Sequence, residues 1–206
     1  MPNWCDNELW MHGSKEDLEK IKAQVTNKEG EFDFGLIVPT PDHPDYNNEP
    51  LPAEDMFKSK YTWYNWNVNN WGTKWNASDS VVGEVEEPLE GETNYRLQTW
   101  FSTAWAPSTP VTQALSEQYP NVFFEHKFIE EGGFFCGVIE FQDGEETDNS
   151  WEGEPSHESM ERLGRECICE NTDEEYWYPD CSSVETNSIV ELAKAMPDNI
   201  SIINVG

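Results

Sequence analysis

Basic residues are scarce in this 206-residue sequence: 12 Lys and Arg stand against 41 Asp and Glu, which gives a formal net charge of −29 at pH 7. Proteins that bind nucleic acids or anionic membranes need lysine and arginine to contact phosphates. We therefore expect neither direct nucleic-acid binding nor membrane binding. The charge favours a basic partner or divalent cations, or it reflects only solubility or a salt-rich habitat.

Long apolar segments and a dense set of cysteines are also missing. No stretch approaches the 18 consecutive apolar residues of a transmembrane helix. Residues 1–4 (MPNW) lack the basic and apolar stretches with which a signal peptide begins. Five cysteines are an odd number and too few for a disulfide scaffold. These absences predict a soluble cytoplasmic protein with reduced thiols.

The sequence has none of the common catalytic motifs: no Gly-x-Ser-x-Gly, no phosphate-binding glycine loop, no His-Glu-x-x-His and no dinucleotide fingerprint. His126 falls within a predicted strand, where placement in a sheet is a simpler interpretation than acid–base work. The adjacent acids Glu130 and Glu131 precede a Gly-Gly turn, where carboxylates are usually solvated. We expect no catalytic residue, no cofactor and a protein that is not an enzyme.

Aromatic residues make up 13% of the chain and offset a modest hydrophobic content of 36%, because each ring buries a large area. The length fits one domain, or a domain with an appendage. Alternating apolar residues predict strands, and apolar stripes with N-terminal caps predict helices. The predicted helices cover residues 14–27, 56–71 and 107–118, and the predicted strands cover residues 3–11, 32–38, 79–85, 95–103, 122–130 and 134–142.

This order of elements is typical of the α+β split βαβ, or ferredoxin-like, sandwich, an antiparallel sheet with helices on one face. We predict a ferredoxin-like domain over residues 1–142, with a tryptophan-rich helical insertion at about residues 39–78. Residues 143–206 are predicted to be an acidic C-terminal extension, packed on the core or following it. Its acidic part is expected to be loop-rich and solvated, with a helix at residues 188–195 and a strand at residues 200–205 after it.

Four short stretches carry a family resemblance: residues 1–5 (MPNWC), 70–75 (NWGTKW), 103–107 (TAWAP) and 119–120 (YP). They resemble the YubB-type ferredoxin-like domain, which occurs in plasmid and phage proteins, including the Api-type phage proteins. The resemblance covers about residues 1–141. It implies a ferredoxin-like fold without an iron–sulfur cluster and a gene carried on a mobile element, and it implies no established activity and no catalytic residues.

A group of tryptophans lies where acids are absent. Residues 56–78 and 93–116 contain no Asp or Glu, so we expect these two windows to be neighbours in space. Together they would form an aromatic pocket for a planar ligand, a nucleotide base or a partner side chain, with Lys74 and Arg96 as polar anchors. Alternatively, the rings are core that ties the inserted helix to the sheet. The candidate residues of this tryptophan island are Trp66, Asn70, Trp71, Thr73, Lys74, Trp75, Arg96, Trp100 and Trp105.

The acids of the C-terminal region predict a second surface. Duplex DNA carries about one negative charge per 1.7 Å of its axis, and a compact polyanion can present similar spacing along an exposed edge. We hypothesise a nucleic-acid mimic that occupies the basic groove of a host protein; the alternative is a solvated acidic surface. The candidate residues of this face are Glu145, Glu146, Asp148, Glu152, Glu154, Asp173, Glu174 and Glu175.

Three cysteines of the same region, Cys167, Cys169 and Cys181, form a weak candidate metal site. Two of them are spaced Cys-x-Cys, whereas a zinc site more often uses Cys-x-x-Cys. We therefore assign no metal.

The leading hypothesis is a non-enzymatic acidic binding protein of a phage or plasmid, a nucleic-acid mimic that inhibits a host DNA- or RNA-handling or defence protein. The expected partner is a basic host protein in the host cytoplasm. The alternative is a small-ligand or nucleotide-binding module, with or without catalysis, at the tryptophan island. The sequence leaves the oligomeric state open.

Overall fold

The computed structural model describes residues 2–47, 59–153 and 155–165. The predicted elements at residues 188–195 and 200–205 lie outside this range. None of the described helices is long and apolar enough to cross a membrane. In chain order the elements are β1 (Trp4–Gly13), α1 (Lys15–Val25), α2 (Pro44–Asn47), α3 (Trp63–Trp71), β2 (Ser78–Val82), β3 (Tyr95–Ala104), α4 (Thr109–Gln118), β4 (Phe123–Glu130), β5 (Cys136–Gln142), β6 (Glu145–Asn149) and α5 (His157–Arg162).

The strands form one antiparallel sheet in the order β2-β3-β1-β4-β5-β6. The first four strands, with α1 and α4, have the ferredoxin-like arrangement, which confirms the predicted fold class. Strands β5 and β6 extend the sheet beyond β4. Apolar residues of α1 and α4, among them Leu18, Ile21 and Leu115, pack in one core with Leu9 of β1 and Phe101 of β3.

The strand expected over residues 32–38 is wrong. Phe34–Leu36 form a single 3-10 turn, and Phe32 makes only an isolated bridge with Thr26. The reason is local capping: the Asp33 carboxylate accepts a hydrogen bond from the Gly35 amide at 2.8 Å and another from the Asn76 side chain at 2.7 Å. These bonds turn the chain before it can join a sheet.

Helix α3 begins at Trp63 and not near residue 56, because Thr62 caps it by accepting a hydrogen bond from the Asn65 amide. It ends, as predicted, at Gly72, whose φ of 78° is left-handed. A Cβ added at Gly72 would lie 2.8 Å from Pro110 Cδ and 3.0 Å from the Pro107 carbonyl oxygen. Glycine therefore lets the end of α3 touch the start of α4.

The acidic region after residue 143, expected to be loop-rich, begins with a strand. Asp143 and Gly144 both have positive φ, 53° and 75°, and they join Gln142 of β5 directly to Glu145 of β6. Two such residues make the tight turn that suits antiparallel strands. The Asp-Gly pair was the sequence signal for β6.

The sheet face opposite α1 and α4 is partly covered by α5. Met160 and Leu163 pack on Ile129, Cys136 and Val138 in a second, smaller apolar cluster. Just beyond α5, an Arg165 guanidinium nitrogen lies 3.8 Å from the buried Asp6 carboxylate. Burial lowers the pKa of Arg165 and the Asp6 charge opposes that shift. The described part of the acidic region thus packs on both the edge and the open face of the sheet.

A chain of buried polar groups links the central strands to α4. His126 on β4 is 0% exposed; its Nδ1 lies 2.8 Å from the Thr112 hydroxyl and its Nε2 lies 3.0 Å from Asn7 Oδ1. The Asn7 amide nitrogen in turn donates to Thr103 Oγ1, at 2.9 Å. Because Asn7 Oδ1 can only accept, His126 carries its proton on Nε2 and accepts at Nδ1. The ring is a neutral structural group, as its position in the predicted strand suggested.

We predict that His126 makes the fold sensitive to acid. Burial lowers its pKa from 6.5 to about 3, so between these values the unfolded chain binds a proton that the folded protein does not. Stability therefore falls as the pH falls through this window, by on the order of 1 kcal/mol per pH unit for this group alone. Urea unfolding from pH 7 to 4 should give a steeper decline for the wild type than for His126→Gln. Parallel declines, or an imidazole NMR signal that titrates near pH 6, would contradict the prediction.

Candidate functional site

The two acid-free windows meet at one end of the sheet, as the sequence predicted. The Thr73 hydroxyl donates to the Ala104 carbonyl at 2.9 Å, and the Trp105 amide donates to the Asn3 carbonyl at 2.9 Å. The Asn67 side chain of α3 donates to the Lys74 carbonyl at 2.8 Å. These bonds fix the backbone of both loops, so the side chains between them have fixed starting points.

Lys74 and two tryptophans form the centre of this junction. The Lys74 Nζ lies 3.7 Å from the Trp75 ring centroid and 4.0 Å from the Trp105 ring centroid. An ammonium over an indole face is attracted by the electrons of the ring. The two residues remain 39% and 47% exposed, respectively. We call Lys74, Trp75 and Trp105 the Lys–Trp clamp.

Trp105 has an unusual backbone. Its φ is 73°, a left-handed conformation that bulky L-residues rarely adopt and that strains the chain by roughly 1–3 kcal/mol. The neighbouring Thr103 hydroxyl donates to the Ala106 carbonyl at 2.7 Å and so closes the turn around it. A strained turn that holds a large ring in solvent is more typical of a binding site than of a packing element.

The remaining residues of α3 and its exit serve packing. Trp71 is 4% exposed, donates through Nε1 to the Val38 carbonyl at 3.0 Å, and meets Phe34 edge-on. Trp66 packs edge-on against Trp71. The Asn70 side chain donates back to the Trp66 carbonyl within the helix, at 2.8 Å. For Trp66, Asn70 and Trp71 the structure therefore favours the core alternative, and Thr73 is a buried tether.

Arg96 and Trp100 do not join the clamp. Arg96 lies eight residues before Ala104 on β3, roughly 26 Å away at 3.3 Å per residue, and pairs with Glu86 at 3.0 Å. Trp100 lies in mid-strand on the open face, in register with Glu8. The single pocket predicted for the island is thus divided, because an extended strand separates residues that are close in sequence. Trp4 was missed: its ring lies 6.1 Å from that of Trp75.

A ladder of carboxylates crosses the other half of the sheet. Glu125 of β4, Glu140 of β5 and Asp148 of β6 occupy paired positions on adjacent strands. The pKa of Glu140 is raised, first by burial and then by the charges of Asp148 and Glu125. Lys127 Nζ lies 2.7 Å from Glu125 at one end of the row. We call Glu125, Glu140 and Asp148 the acidic ladder.

Sequence patterns identified only the β6 member of this ladder. Glu145 and Glu146 lie on the same strand, all five residues of which are exposed. Glu152 is less available, because it accepts a hydrogen bond from the Ser156 hydroxyl and lies 3.8 Å from Arg162. Glu125 and Glu140 were missed, since only the register of the strands places them beside Asp148. The other predicted acids, Glu154, Asp173, Glu174 and Glu175, lie outside the described residues.

Two buried carboxylates have structural partners. Glu130 accepts from the Asn3 side chain at 2.6 Å and from the Gly132 amide at 2.8 Å, so it holds the β4–β5 turn. Glu8 accepts from Trp10 Nε1 at 2.6 Å and from the Gln98 amide. Burial raises the pKa of Glu8. Neither side chain is placed beside a nucleophile among these partners.

Metal ligands do not cluster within the described ranges: no three His, Cys, Asp or Glu side chains there are placed to hold an ion. Cys5 and Cys136 are free and buried, and burial raises the pKa of both thiols. Cys167, Cys169 and Cys181 lie outside those ranges, so the weak metal candidate stays a prediction.

Comparison with known proteins gives the family. A family model described as the ferredoxin-like domain in Api92-like protein matches residues 70–175. The chain belongs to this Api92-like family. Among solved structures, the crystal structure of a protein api92 from Yersinia pseudotuberculosis is similar over 76% of this chain and 100% of that chain, with 10% identity and a TM-score of 0.45. No match is found among curated proteins.

The Api92-like match includes both candidate surfaces. It begins at Asn70 and therefore takes in the whole Lys–Trp clamp, and it runs on through the strands of the acidic ladder. It also covers residues 143–175, which the resemblance seen in the sequence did not reach. Strand β6 and helix α5 therefore lie within the family domain.

We predict that the same substitution will separate core from surface tryptophans. Trp71→Phe removes the hydrogen bond to Val38 and leaves a cavity, so it should lower the free energy of unfolding by about 2 kcal/mol or more. Trp75→Phe changes an exposed ring and should lower it by less than about 1 kcal/mol. Urea unfolding of both variants measures this difference. Equal losses would show that Trp75 also serves the core.

Proposed function

We propose that this Api92-like domain is a non-enzymatic binding protein that engages a basic partner through its acidic ladder and β6. The register of Glu125, Glu140 and Asp148 carries the proposal. Like charges placed directly opposite each other lower the stability of a sheet. A lysine or arginine of a partner would relieve that repulsion, so binding would gain what the free sheet loses.

The position of β6 at the edge of the sheet supports contact through side chains. All its residues are exposed, and Glu145, Glu146 and Asp148 are acidic. Charged residues on an edge strand oppose pairing with a further strand. We therefore propose that the partner meets carboxylates here and does not extend the sheet.

We further propose that this surface imitates the phosphates of a nucleic acid. Adjacent strands lie about 4.8 Å apart, so the three-strand ladder spans roughly 10 Å, a distance over which duplex DNA also presents several charges. The net charge of −29 supports attraction to a basic groove. The partner would be a host DNA- or RNA-handling or defence protein, inhibited by occupation of that groove.

The proposed setting is a phage or plasmid gene of the YubB type, with the protein acting in the cytoplasm of the host cell. The support is the resemblance of the MPNWC, NWGTKW and TAWAP stretches to proteins of mobile elements. A mimic encoded on such an element would meet host nucleic-acid-handling proteins on entry.

We predict that Glu140→Gln combined with Asp148→Asn will weaken binding and stabilise the protein. Affinity capture from a bacterial lysate at 0.05 M and 0.5 M salt should retain a basic nucleic-acid-handling protein only on the wild type at low salt, since salt screens charge pairs. Added duplex DNA should release it. The free energy of unfolding of the variant should rise by up to about 1 kcal/mol at pH 7, because an opposed pair of charges is removed.

The matched control is Glu19→Gln combined with Glu29→Gln, which removes two exposed acids outside the ladder. It should retain the captured protein and its release by DNA. If the ladder variant and this control capture the same proteins equally, only total charge matters and the proposal is wrong.

A further inference from the structure

We infer that the Lys–Trp clamp is a separate site for a mononucleotide, which stacks its base on the exposed indole surface and places its phosphate at Lys74 Nζ. This inference goes beyond the proposed function and uses different residues. The clamp lies where residues 73–75 meet Trp105 beyond β3, whereas the acidic ladder lies on β4, β5 and β6.

Local charge is the first argument. The chain has a net charge of −29, yet the clamp is built from two windows, residues 56–78 and 93–116, that contain no acid. Within the described ranges no carboxylate lies within ion-pair distance of Lys74 Nζ; its contacts are the two rings. Most other described cations are paired with carboxylates, such as Lys22 with Glu84 and Arg96 with Glu86. Lys74 therefore keeps a positive charge available to an anion.

Preorganisation is the second argument. The Lys74 carbonyl is held by Asn67, the Thr73 hydroxyl is held by Ala104, and the Trp105 amide is bonded to Asn3. The rings themselves fix the ammonium at 3.7 and 4.0 Å from their centroids. A ligand that binds such a site loses little affinity to ordering the protein.

The ligand class follows from these groups. A cationic ligand would be repelled by the ammonium already over both rings, and a purely apolar ligand would leave that ammonium unused. Trp105 is 47% exposed and Trp75 is 39% exposed, so indole surface is free for stacking, and a flat base stacks well on such rings. A phosphate forms a charge-assisted hydrogen bond with an ammonium. One phosphate fits this small patch, whereas a longer strand would carry its further phosphates toward the acidic remainder of the chain.

The test is titration of the full chain with adenosine monophosphate, followed by the indole N–H signals in NMR and by calorimetry. The Trp105 and Trp75 signals, assigned from Trp105→Gly and Trp75→Phe, should shift. Lys74→Met should weaken binding at least about tenfold, because it removes the charge-assisted bond and keeps the length of the side chain. Lys74→Arg should restore it to within about threefold.

The matched control is Lys60→Met, since the Lys60 Nζ lies 5.1 Å from the Tyr61 centroid, in another cation–ring contact. This variant should bind like the wild type. Adenosine and inorganic phosphate should each bind more weakly than adenosine monophosphate, because each lacks one half of the ligand.

Three outcomes would overturn the inference: no shift of the clamp indoles at millimolar nucleotide, equal affinity of Lys74→Met and the wild type, or tighter binding of a single-stranded oligonucleotide than of the mononucleotide. The Glu140→Gln and Asp148→Asn variant should bind the nucleotide normally. Failure at the clamp is therefore separable from failure of the acidic ladder.

Discussion

The hydrogen bonds of Asn7 hold the centre of the fold together. Asn7 lies on β1, the strand that pairs with both β3 and β4, and its side chain reaches His126 on one side and Thr103 on the other. His126 passes the connection on to Thr112 of α4. A buried polar group is tolerable only when its partners are present, so this chain specifies one register for three strands and one position for the helix.

That register determines what each end of the sheet presents. With Trp4 opposite Ala104, the start of β1 and the end of β3 finish together, and Trp105 turns out of the sheet beside Trp75 and Lys74. Gly72 allows α3 to reach the same corner, because any side chain there would collide with Pro107 and Pro110. The aromatic and cationic groups of the clamp are thus by-products of strand register and one close approach.

The same sheet keeps opposite electrostatic surfaces apart. Carboxylates line up on β4, β5 and β6, and the acid-free windows meet at the far end of β3 and the exit of α3. Charges separated by more than about a Debye length of 8 Å interact weakly at physiological salt. A polyanion can therefore keep one locally positive site, and two binding surfaces of different preference can coexist on one domain.

Much of the architecture was predictable because it depends on local patterns. The alternation of Cys5, Leu9 and Met11, the Ser14 cap and the Gly72 stop identified elements whose order gave the fold class. The absence of acids from two windows predicted their meeting. The turn at Phe34 was missed because the bond from Asn76 to Asp33 joins residues 43 apart in the sequence.

What the sequence alone determined, then, was the class of fold, the polyanionic charge and the uneven placement of that charge along the chain. Tertiary structure alone decided which tryptophans are core and which are exposed, because α3 turns Trp71 inward while the loop after it leaves Trp75 outside. It also decided the composition of both sites. Arg96 is carried away from Lys74 by an extended strand, and Glu140 is brought beside Asp148 by a two-residue turn; strand pairing sets both distances, and spacing in the sequence does not.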